Sequence, residues 1–102
     1  EFNKRGGVGI ISVTANIAPK LCSNFQKFSK SKLDKEIKEA EKIDLMLQPL
    51  HKSLFIESNP APVKFAAKLL KLCEDDVRLP LVKITDESKS KVKQALETAK
   101  LL

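Results

Sequence analysis

Apolar residues along this chain fall into one compact run near the start and four later blocks with helical spacing. The first run, Val8-Gly9-Ile10-Ile11-Ser12-Val13-Thr14, has no polar face to give to water. Such a run predicts a strand buried on both sides, as in a parallel sheet. It is the one strong strand pattern in the sequence, so its hydrogen-bonding partners are expected in a larger protein. All three glycines, Gly6, Gly7 and Gly9, cluster beside it. They predict an unusual turn or a close backbone approach. They precede the strand, which argues against a phosphate-binding loop.

The remaining blocks read as four helices. The first is predicted from about Ala18 to Ser29, with Leu21, Phe25 and Phe28 on one face and Lys20, Asn24 and Lys27 opposite. The longest is predicted from Lys32 to Ile56, with Leu33, Ile37, Ala40, Leu47, Leu50 and Leu54 as its buried stripe. Pro49 lies inside it and removes a hydrogen bond to the Leu45 carbonyl, so a kink is expected within one continuous helix. Asn59-Pro60 reads as a helix start, Asn as N-cap and Pro at the first position. That third helix carries Val63, Ala66, Ala67, Leu70 and Cys73 on one side and Phe65, Leu69 and Leu72 on another, which implies two packing neighbours. A connector from Glu74 to Lys83 is stiffened by Pro80, with Leu79, Leu81 and Val82 expected against the core. The last helix is predicted from Asp86 to Lys100, capped by Thr85 or Asp86, with Val92, Ala95, Leu96 and Ala99 facing inward.

With 102 residues, 42% hydrophobic and 31% charged, the chain suits one small soluble globular unit. No apolar run reaches the roughly 20 residues of a membrane span. The net charge is +6, but the lysines alternate with Glu and Asp along helix faces. Arginine occurs only at Arg5 and Arg78, and Tyr and Trp are absent, so a solvated surface fits better than a nucleic-acid interface. The first residue is Glu1 and the single methionine is Met46, so the chain is expected to be a piece, a processed form or an incomplete record. Cys22 and Cys73 have no metal-ligand spacing and are expected to be buried reduced thiols. His51, the only histidine, is expected to be a structural or surface residue rather than a catalytic one, and Glu57, Asp75 and Asp76 to serve as caps and loop charges. No nucleophile–base pair can be read from spacing. In an eight-stranded α/β barrel catalytic groups sit at the C-terminal strand ends, a face that Ile11–Asn16 would border.

The run Gly6–Asn16 resembles the eighth strand of the dihydrodipicolinate synthase family. So do the run Pro49–Lys64, the segment Arg78-Leu79-Pro80-Leu81 and the Leu101-Leu102 ending. Lyases acting on N-acetylneuraminate share that fold but carry a different eighth-strand motif. The resemblance implies an α/β class chain: the C-terminal part of a (β/α)8 TIM barrel plus a helical extension, itself mostly α-helical. Residues 1–30 would be the last β/α unit and 31–102 the extension. It implies a cytoplasmic homotetrameric lyase of lysine and diaminopimelate biosynthesis that condenses pyruvate with aspartate semialdehyde. It implies no cofactor and no metal, because chemistry runs through a Schiff base between pyruvate and a lysine outside this chain. Ile11 matches the residue whose main chain lines the pyruvate pocket, and Gly9 and Ser12 match its neighbours. The catalytic lysine, the relay tyrosine and the carboxylate-holding threonines are expected upstream. None of the lysines present matches the catalytic one, and Lys64 matches a structural lysine of the extension. The chain alone is therefore expected to be inactive, its partner being the missing barrel portion, with no nucleic-acid or membrane partner. The alternatives are an autonomous basic helical binding module and a non-functional gene remnant.

Overall fold

Helix α1 (Pro19–Ser29) starts on Pro19, whose fixed φ suits a first helical turn and whose missing N–H needs no partner there. Helix α2 (Asp34–Ser53) places Asp34 and Glu36 in its first turn and His51 and Lys52 in its last, matching the helix dipole at both ends. It continues through Pro49, and the residue whose carbonyl loses its partner, Leu45, stands on the solvent face. Helices α3 (Ala61–Leu69) and α4 (Asp86–Thr98) complete the set. Two short 3-10 turns precede them, at Asn3–Arg5 and Thr14–Asn16. The computed structural model describes residues 1–102.

Helices α1 and α4 both pack on α2, and α3 packs on α4; the Thr14–Asn16 turn lies against α1 and α3. The core is one cluster drawn from the whole chain, from Ile17 and Ala18 to Ala99. Leu47, Leu50, Leu54, Val92 and Leu96 are its fully buried large side chains. Their spacing of three and four residues on α2 and α4 is the period that puts apolar groups on one helical face. Each removes apolar surface worth about 2 kcal/mol or more from water. No helix is long and apolar enough to cross a membrane.

The largest departure from the sequence reading lies at the start. Residues 7–12 form neither helix nor strand, and Thr14, placed at the end of the strand, opens a 3-10 turn. A strand is held by a neighbour's backbone, and no other segment of this chain offers one. Val8, Ile10 and Ile11 accordingly stand in solvent, Ile11 completely (108% exposed). The glycines divide by role. Gly6 takes φ +91°, and a Cβ on Gly7 would strike the Phe2 ring and come within 2.8 Å of the Phe2 carbonyl. Gly9 meets nothing.

Other differences are local. Leu33 precedes α2 rather than belonging to it, so it leaves the stripe and is exposed, while Ile43 joins the buried face. Helix α2 ends at Ser53, not Ile56. Asn59 is not an N-cap. The Ala61 N–H is taken by the Ser58 carbonyl at 3.0 Å and Pro62 has none, so α3 begins at Ala61 with little left to cap. It ends at Leu69 because Lys71 turns left-handed (φ 60°), and the Leu72 N–H closes back on the Ala67 carbonyl at 2.9 Å. Cys73 therefore lies beyond the helix and is exposed, and Cys22 is only half-buried. In the connector Leu79 and Val82 are exposed; Ile84 and Val77 meet the core instead. Thr85 is the cap of α4, its hydroxyl accepting the Ser88 N–H at 3.3 Å. Helix α4 ends at Thr98, and Lys100 (φ 56°) repeats the closure seen at Lys71, with the Leu101 N–H on the Leu96 carbonyl.

Candidate functional site

The chain from Ser12 to Ala18 is tied at nearly every residue. Ser12 Oγ accepts the Ala15 N–H at 3.2 Å. The Thr14 carbonyl accepts the N–H groups of Ile17 and Ala18 at 3.1 and 2.9 Å. Asn16 Nδ2 donates to the Val13 carbonyl at 3.0 Å. The Thr14 hydroxyl, 2% exposed, shares a 2.7 Å hydrogen bond with Nδ1 of His51 on α2. A buried hydroxyl without such a partner would be destabilising, so the pair fixes the turn against the helix.

Between this turn, α1 and α2 lies a cleft of about 280 Å³, lined among others by Ile10, Ser12, Ala15, Cys22, Gln26 and His51. Burial pushes the Cys22 thiol up, against the pull of a hydrogen bond with Ser12, so it stays in its uncharged form. The cleft presents hydroxyls, a thiol and an imidazole but no amine and no carboxylate. It can hold and orient a polar group; it cannot itself form an imine. Of the three residues singled out by sequence, Ser12 lines this cleft, whereas Gly9 and Ile11 lie outside it and open to solvent. Lys30 Nζ reaches back to the Val8 carbonyl at 2.6 Å.

A second polar cluster joins α3 to the connector. Asp75, 7% exposed, takes Lys68 Nζ at 2.8 Å and Lys83 Nζ at 3.1 Å. The Lys68 contact first, then Lys83, holds its carboxyl down at about 2. Lys83 also reaches Asp76 at 3.0 Å, and Lys64 donates to the Asp76 carbonyl. Glu57 reaches Thr85 across 28 residues, its Oε2 accepting both N–H and hydroxyl at 2.9 and 3.2 Å. Hydrogen bonds from Ser88 first and Thr85 next keep Glu57 below the usual carboxylate range. Lys64, Glu57, Asp75 and Asp76 thus all serve the fold. No group of three or more His, Cys, Asp or Glu side chains comes together. Local spacing could not have shown Thr14 and His51 as partners, since they lie 37 residues apart.

A sequence profile of the dihydrodipicolinate synthetase family matches residues 1–99. The chain belongs to this family. The 4-hydroxy-tetrahydrodipicolinate synthase of Pelagibacter ubique is 67% identical over 102 residues, covering 100% of this chain and 35% of that protein. The dihydrodipicolinate synthase of Thermotoga maritima superposes with a TM-score of 0.89 at 34% identity, covering 98% of this chain and 33% of that one. The chloride-inhibited dihydrodipicolinate synthase of Acinetobacter baumannii, solved with pyruvate, superposes at 0.82 with 35% identity, covering 95% and 32%. The chain thus spans about a third of the length of its dihydrodipicolinate synthase relatives. Its helices superpose on about a third of TIM-barrel synthases. The barrel accounts for the open flank at Val8–Ile11, because a barrel strand has a neighbour on each side.

Proposed function

We propose that this chain is the C-terminal third of a lyase that condenses pyruvate with aspartate semialdehyde on the route to diaminopimelate and lysine. The observation that carries the reading is coverage: nearly all of this chain aligns with about a third of each synthase, while Val8, Ile10 and Ile11 in the apolar run at its start stand exposed. In this reading residues 1–30 are the last β/α unit and 31–102 the extension. The Ile11 main chain lines the pyruvate pocket, with Gly9 and Ser12 shaping it, and the pyruvate held by the Acinetobacter relative supports that ligand. The imine-forming lysine, the relay tyrosine and the threonines that hold the pyruvate carboxylate belong to the upstream portion, and no cofactor is needed. The assembled enzyme is a cytoplasmic homotetramer, and the chain alone is inactive.

The test is reconstitution. The chain alone, mixed with pyruvate and aspartate semialdehyde, is expected to give no condensation product. With the upstream barrel portion of the same protein added, product is expected, together with a borohydride-trapped pyruvate adduct on the upstream piece. Turnover by the chain alone overturns the reading. Salt-dependent binding to DNA or RNA by the chain alone would favour instead an independent basic module.

A further inference from the structure

We infer that the Thr14–His51 hydrogen bond is a positioning pair for the pyruvate pocket, through which α2 sets the main chain at Ile11; this rests on the functional reading above. The pair is the only side-chain hydrogen bond between the 12–18 turn and α2. Thr14 is fully buried, whereas Ile11, three residues earlier, has no contact of its own to hold it. The turn's other bonds are internal (Ala15 to Ser12, Asn16 to Val13, Ile17 and Ala18 to Thr14) or run to α1, where the Ala18 carbonyl accepts the Cys22 N–H at 3.0 Å; none reaches α2. They make the turn rigid, and Ile17 and Ala18 in the core seat its far end, while its start is left to the contact with α2. The Thr14 hydroxyl makes that contact with an anchored partner: His51 lies one turn from fully buried Leu47 and next to fully buried Leu50. Whichever tautomer the ring adopts, Nδ1 can accept from the hydroxyl or donate to it. A pocket lined by main chain has no side chain to adjust, so a displacement of the turn passes directly to the ligand, and misplacement by about 1 Å can slow a reaction by orders of magnitude.

The test uses the complete polypeptide that carries this chain, with kcat and KM for pyruvate measured beside the thermal midpoint. Thr14→Val and His51→Phe are each expected to raise KM for pyruvate about tenfold, the loss typical of one buried hydrogen bond. The double variant is expected to match either single within about twofold, because both remove the same bond. Thr14→Ser and His51→Asn, which keep a polar atom in place, are expected to restore KM to within about twofold of the parent. Ser53→Ala removes another buried α2 hydroxyl, which donates to the Leu50 carbonyl at 3.1 Å. It is expected to lower the midpoint and leave KM unmoved. An unchanged KM in folded Thr14→Val, or an equal rise in Ser53→Ala, overturns the positioning role. If Thr14→Val does not fold, Thr14→Ser against Thr14→Cys decides, since only serine keeps a strong donor; equal KM values overturn the role. A parent polypeptide that yields no trapped pyruvate adduct overturns the functional reading, and the pair's role with it.

Discussion

The helical body and the glycine-rich start both carry apolar patterns in sequence and are opposite in outcome. Around Leu47, Leu50, Leu54, Val92 and Leu96 each apolar face meets another from the same chain. Val8, Ile10 and Ile11 stand largely in solvent. The difference lies in what each element asks of its surroundings. A helix closes its backbone hydrogen bonds internally and needs only a partner for one face. A strand closes none internally, so a buried strand pattern carries a debt of both backbone and side-chain contacts. A piece of a barrel therefore keeps its helices and loses its stave.

The largest expected effect probes the body. Leu50→Ala in the chain should lower the unfolding free energy by about 2–5 kcal/mol in urea titration, as cavities in closed cores do. Ile10→Ser in the same chain should move it by less than about 0.5 kcal/mol, the usual range for exposed positions. In the complete polypeptide the same Ile10→Ser should be destabilising by about 2 kcal/mol or more, the value of a buried isoleucine. Equal costs in the two contexts would erase the contrast between regions.

Smaller effects follow within the body. Thr85→Ala should destabilise by about 1 kcal/mol, the value of an N-cap, read from the thermal midpoint. Asp75→Asn should remove about 1 kcal/mol, discounted because both lysine ends reach solvent. Its sign with pH is fixed by a carboxyl held near 2 in the folded chain against an ordinary 3.8. The stabilisation is complete above the ordinary value and is lost as pH falls towards 2, so parent and variant should converge in acid. Last, Lys71→Gly should stabilise by about 0.5 kcal/mol, since glycine takes the left-handed position at less steric cost than lysine, partly offset by chain entropy. Loss of stability would mean that the lysine side chain matters there.

Much of this was legible in the residues, and the failures share a cause. The stripe Val92, Ala95, Leu96 and Ala99 and the Thr85 cap follow from periodicity and capping, both local. The apolar pattern at 8–14 predicted a strand, and none forms there, because no segment of this chain offers it a partner backbone. Asn59 misled because a two-residue signal ignores the second proline, at 62, and the turn from Ser58. Lys71 and Lys100 carry no sign of a left-handed residue, where glycine is the usual signal. Thr14–His51, Glu57–Thr85 and the lysines on Asp75 are made by tertiary packing, which no spacing rule encodes. Ile11 and its neighbours were read from resemblance, and only Ser12 among them faces the cleft.

The carboxylate of Glu57 fastened to the amide of Thr85 adds to the cap of α4 an anchor from outside the helix. Amide exchange at Thr85 should then slow or quicken with the loop that follows α2, so that the two open as one unit. A nick in that loop would loosen the first turn of a helix whose own sequence remained intact.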